Sequence, residues 1–190
     1  MAFSRIRHLG EIALPGLAIG ALAGGLAGLL AVLVGQPSMW TLATVVGLGV
    51  PLALFGAGHS LLVGRGVLQP GVFAPAGLYW MVGFPLARLV HEMALALLVT
   101  GRLQAPEALL AFLGFQALVS FGYAIGFVWL HERITPWWLL KVQDRNPQAR
   151  RLFAVYVGQA EAMWQSTQQG RANRAKRQEA RGPTSSRRGL

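Results

Sequence analysis

The chain contains no cysteine. That excludes disulfides, thiolate metal sites and thiol catalysis, and it leaves the redox compartment open. Carboxylates are also scarce: seven Asp and Glu stand among 190 residues, and no two are placed as an acid/base pair deep in an apolar run. There is no phosphate-binding G-x-x-x-x-G-K-[ST] loop, no G-x-S-x-G elbow and no acidic cluster suited to a divalent cation. Charged residues make up 13 % of the chain, against about 25 % in a soluble domain. Twelve of the seventeen Lys and Arg follow residue 132. The net charge of +10 therefore belongs to the C-terminal part, and it speaks to anionic lipid or another acidic partner rather than to the fold. The rest is apolar, with a mean hydropathy of +0.46 over the chain. This is the composition of an integral membrane body with a basic tail.

Four runs are long enough to cross a bilayer core, which takes about 20 apolar residues. They cover 12–34, 41–63, 75–100 and 107–130. Arg5, Arg7 and His8 precede the first run and resemble the start of a secretory signal. A cleavable signal has an apolar core of about 7–15 residues, and this run is longer, so it reads as a retained span. Residues 1–11 are then a short N-terminal segment, and 132–169 form an interfacial and amphipathic helical segment. Two basic residues precede the first span, the loops carry only Arg65 and Arg102, and the C-terminal part carries twelve. The positive-inside rule places both termini in the cytoplasm. No organelle signal is evident, so the expected location is the bacterial cell membrane.

Within the first span Gly16, Gly20, Gly24 and Gly28 recur every fourth residue. They share one helix face and bare it for the close approach of another helix, from this chain, a second copy or a different protein. Beyond the spans, Asn146 and Pro147 read as N-cap and first helical position. Ala149, Leu152, Phe153, Tyr156, Ala160, Met163 and Trp164 follow at helical spacing, an apolar stripe suited to a membrane surface, a partner's groove or the chain's own spans. From 170 to 190 no apolar period remains, and disorder is expected. Arg171, Arg174, Lys176, Arg177 and Arg181 form a basic cluster that would attract anionic headgroups. No aromatic residue is interleaved with it, so no nucleic-acid partner is expected.

The third span carries Arg88, His91 and Glu92 near its middle. Ionisable groups at that depth cannot face lipid without a large cost. Their spacing of three and four puts them on one helix face. Counting about 1.5 Å per residue sets Gln116 and Ser120 of the antiparallel fourth span in the same layer, and Thr44 within reach of His91. An Arg88–Glu92 pair with hydrogen bonds from Gln116 and Ser120 is the simplest arrangement. The same arithmetic separates His91 from His59 by about 15 Å and from His131 by about 20 Å. No two histidines are expected to share a ligand sphere, and neither a metal site nor a cofactor is expected.

The fold class is all-α: a polytopic membrane protein with a four-helix transmembrane bundle, a cytoplasmic amphipathic helix and a disordered basic tail. With no catalytic set in view, the favoured role is a non-catalytic accessory, assembly or interaction subunit of a larger membrane complex. Its partners are a protein or a second copy, and lipid. The alternative is a small oligomeric ion- or proton-coupled transporter or channel that uses Arg88, His91 and Glu92. His91 suits it, since imidazole ordinarily titrates near physiological pH.

Overall fold

The computed structural model describes residues 2–181, with side chains for 4–178. It consists of five helices: α1 (Ala2–Leu33), α2 (Ser38–Gly64), α3 (Phe73–Thr100), α4 (Leu109–Val142) and α5 (Pro147–Arg181). The described residues contain no strand. The first four helices are long and apolar enough to cross a membrane. The basal end of the bundle carries the start of α1, the end of α2, the start of α3, the end of α4 and the first turns of α5.

Tight turns join the spans. Gly35 and Gly101 have φ of 76° and 68°, a left-handed conformation that only glycine adopts at little cost. This lets their N–H groups cap carbonyls left open at the helix ends, that of Val32 at 2.9 Å and that of Leu97 at 3.0 Å.

Contact is most extensive between α1 and α2, and α3 packs on both α2 and α4. The glycine face of α1 lies against α2. A Cβ on Gly16 would overlap the Gly56 backbone, one on Gly20 the Leu52 backbone, one on Gly24 the Gly49 backbone and one on Gly28 the Val45 side chain. The helix that accepts the glycine face thus belongs to the same chain. Each of the first four helices has an internal proline, and Pro15 has a visible consequence. It has no N–H to donate to the Glu11 carbonyl, which instead accepts the Trp138 indole N–H at 2.6 Å.

The helices run further than the apolar runs that signal them. α1 begins at Ala2 and not near residue 12, and α4 continues to Val142 and not to 130. The stretch around Trp137 and Trp138, expected as a separate interfacial piece, is the end of α4. Hydropathy marks only what matches lipid. The helical hydrogen bonds continue because a basal apolar core of Ile12, Val63, Leu68, Leu139, Val142, Ala149, Leu152 and Tyr156 rewards them. Pro106 and Glu107 precede α4, Glu107 in a turn, and neither starts the helix.

α5 divides the expected apolar stripe. Leu152 and Tyr156 are buried and Phe153 is half-buried, but Met163 and Trp164 are 67 % and 66 % exposed. Disorder from residue 170 is not what the structure has, since α5 continues through Gly170 to Arg181. The flanking Ala, Arg, Lys, Gln and Glu are strong helix formers, and one internal glycine costs only about 1 kcal/mol. Residues 182–190 of that stretch lie outside the described residues.

Candidate functional site

Arg88, His91 and Glu92 do converge. One Arg88 amino group donates to Glu92 Oε1 at 2.6 Å, and the other meets His91 Nδ1 at 2.7 Å. A guanidinium only donates, so His91 Nδ1 accepts and the imidazole hydrogen belongs on Nε2. That nitrogen faces Thr44 Oγ1 at 3.2 Å, and the Thr44 hydroxyl donates to the Trp40 carbonyl at 2.9 Å. The chain of donors closes on a backbone acceptor with every member partnered. His91 is buried, whereas the Arg88 and Glu92 side chains are 23 % and 31 % exposed. A cavity of about 490 Å³ at the end opposite the basal one reaches Glu92, lined also by Ala96, Gln104, Glu107 and Phe112 among others.

Gln116 and Ser120 do not join the cluster. Both are buried, but Ser120 donates to the Ala117 carbonyl on its own helix at 2.6 Å. Among the described residues no hydrogen bond links Gln116 to Arg88 or Glu92. Residue counting gives a depth along the bundle but carries no azimuth. The core between these helices is built on Ala87 and Ala124, both fully buried, and Arg88, about 100° further round α3, points elsewhere.

A second polar group lies nearer the basal end. The rings of His59 and His131 stand 4.9 Å apart, edge to face. This corrects the expectation that the histidines stay apart. Their distances from His91 say nothing of their distance from each other, and both come near the basal ends of helices that run in the same direction. The backbones of α2 and α4 do not touch. These two helices face each other across the bundle, and side chains bridge the gap. Ser60 Oγ accepts the Gly16 N–H at 3.0 Å, so its own hydrogen is free for His131 Nε2 at 2.8 Å. The hydrogen of a neutral His131 then belongs on Nδ1.

This region leaves polar atoms without partners. Both ring nitrogens of His59, His131 Nδ1, Trp80 Nε1 and the Tyr123 hydroxyl are buried and make no hydrogen bond with protein. Trp80 stacks on His59 at 6.4 Å, and Phe127 meets it edge-on at 5.1 Å. The pair supplies two nitrogen ligands, and no group of three or more His, Asp or Glu able to hold a metal is found among the described residues.

A third polar knot lies at the basal end. Glu11 accepts from Arg145 Nε at 2.8 Å and from Asn146 Nδ2 at 3.0 Å, while Asn146 Oδ1 caps α5 through the N–H groups of Gln148 and Ala149. The cap was legible in the sequence and the Glu11 partner was not. Of the basic cluster, Arg171, Arg174, Lys176 and Arg177 are exposed on the far half of α5, and Arg181 ends the helix. Compared with protein-family models, with curated proteins and with solved structures, the chain matches none.

Proposed function

We propose that this membrane protein is a non-catalytic accessory, assembly or interaction subunit of a larger complex, and that it docks its partner through the far half of α5. One observation carries this reading. From Ala160 to Gln178 every side chain is exposed, yet the helix continues. That arm is about 28 Å long at 1.5 Å per residue, and it is exposed along all of that length. Met163 and Trp164 stand out on it as apolar anchors of the kind that dominate helix-in-groove binding. The glycine face of α1, engaged by α2, is not free for that task. The positive-inside rule supports placing both termini and α5 in the cytoplasm, and the arm's basic residues would then lie near anionic headgroups.

The test is affinity purification of the tagged chain in mild detergent, followed by mass spectrometry and native mass. A stoichiometric protein partner that is lost in M163A/W164A supports the proposal. A homo-oligomer with no partner overturns it. Because the chain has no cysteine, a single cysteine introduced into the arm reports its side of the membrane by labelling with an impermeant maleimide.

A second reading has its own observation. The cavity at Glu92 opens from the end opposite α5, which supports an oligomeric proton- or ion-coupled transporter using Arg88, His91 and Glu92. Flux in reconstituted vesicles that disappears in a folded E92Q variant would favour it over the subunit reading.

A further inference from the structure

We infer that the basal end holds a specific site for the phosphate headgroup of an anionic phospholipid, built from Arg65 and Arg151. Two cavities of about 280 and 390 Å³ meet there, and both are lined by Gly64, Arg65 and Arg151. Arg65 follows the last residue of α2, and Arg151 lies in the second turn of α5.

Charge is the first argument. No carboxylate lines either cavity. Three other arginines are neutralised: Arg88 pairs with Glu92, and Arg7 and Arg145 share Glu11. Among the described residues, the Arg65 and Arg151 side chains make no ion pair and no hydrogen bond, and both residues are exposed. Paired guanidinium forks facing a cavity are suited to phosphate oxygens.

Depth is the second. α2 is 27 residues long, or about 40 Å. Centring a core about 30 Å thick on it leaves about 5 Å at each end, so Arg65 falls in the headgroup layer. A soluble anion site has no need of an apolar floor, and this one has Ile12, Leu61, Leu68, Leu152 and Val155 beside the arginines. Glycerol and the first acyl carbons fit that floor.

Preorganisation is the third. The loop that carries Arg65 is pinned on both sides. Gln159 Nε2 donates to the Pro70 carbonyl at 2.9 Å, and the Gly71 N–H donates to Glu132 Oε1 at 3.1 Å. The cavity walls therefore exist without the lipid, which reduces the ordering cost of binding. The inference needs the membrane reading and does not depend on a protein partner.

Native mass spectrometry of the full chain in mild detergent tests it, with phosphatidylglycerol and phosphatidylcholine of matched acyl chains as probes. Two guanidiniums in the headgroup layer are worth about thirtyfold in affinity. Wild type should prefer phosphatidylglycerol by about that factor. R65Q/R151Q should lose the preference and R65K/R151K should keep part of it. R171Q/R174Q/R177Q should keep all of it, since those residues lie outside the cavities. Unchanged preference in R65Q/R151Q, or its loss in the α5-arm variant, overturns the site. Displacement of the lipid by an equal concentration of inorganic phosphate also overturns it, because the site would then be one for a free anion. If R65Q/R151Q does not fold, R65Q alone, a loop substitution, should weaken the preference about fivefold, and no change there overturns the site.

Discussion

The Arg88 cluster and the His59–His131 pair are both polar groups inside an apolar bundle, and they are built in opposite ways. The first lies on one helix face, is partly open, and links each of its members by a hydrogen bond down to the Trp40 carbonyl. The second spans two helices, is closed, and keeps only one of its four ring nitrogens hydrogen-bonded. Charge explains the contrast. An ionised group in a low-dielectric interior must be paired, whereas a neutral imidazole can lie among aromatic rings at a cost of about 1–3 kcal/mol for each unmet hydrogen bond. The cluster with charges is therefore complete, and the one without them is allowed to be incomplete.

The largest effect should come from breaking the charged pair. R88L leaves Glu92 without its cation and His91 Nδ1 without its donor. Removing one partner of a buried pair costs about 3–5 kcal/mol, and partial exposure places this case near 3. The double variant R88L/E92L should recover most of that loss, to within about 1 kcal/mol of the native chain. Thermal unfolding in detergent measures both. If the double variant is no better than the single one, the two charges do not act as a pair.

The histidine pair should divide unequally. H131L removes the acceptor of the Ser60 hydroxyl, and it should destabilise by about 1–2 kcal/mol. H59L removes no hydrogen bond. It relieves two orphaned nitrogens and loses ring contacts with Trp80 and Phe127 worth about 0.5–1.5 kcal/mol each, so it should stay within about 1 kcal/mol of native. Equal losses in the two variants would show that His59 has a hydrogen-bonding partner beyond the protein atoms around it.

This contrast also explains what could be read from the sequence. The Arg88, His91 and Glu92 arrangement is local, since spacings of three and four on one helix fix it before any tertiary structure forms. The Asn146 cap and the glycine face of α1 were legible for the same reason. The His59–His131 contact requires knowing which helices face each other across the bundle, and period and hydropathy carry no such information. The glycine run likewise told of a close helix without naming it. Gly49 and Gly56 on α2 were the available signal, because two glycines seven apart lie on nearly one face. The extension of α5 past Gly170 was missed because absence of an apolar stripe removes a reason to pack, and it does not remove helix propensity.

The smallest effect tests the boundary of the charged cluster. Residue counting sets Ser120 in the layer of Arg88, and it has no exposed surface, so depth alone would assign it to the cluster. Its hydroxyl instead donates one turn back to Ala117. Such a bond draws a carbonyl away from the helical ladder, so its net worth is small. S120A removes the hydroxyl and its acceptor need together, leaving only a small void. The change should be within about 0.5 kcal/mol of native, and it should simply add to the loss in R88L when the two are combined. A coupling above about 1 kcal/mol between S120A and R88L would place Ser120 in the hydrogen-bonded network after all, and would bring α4 into a cluster that the geometry confines to α2 and α3.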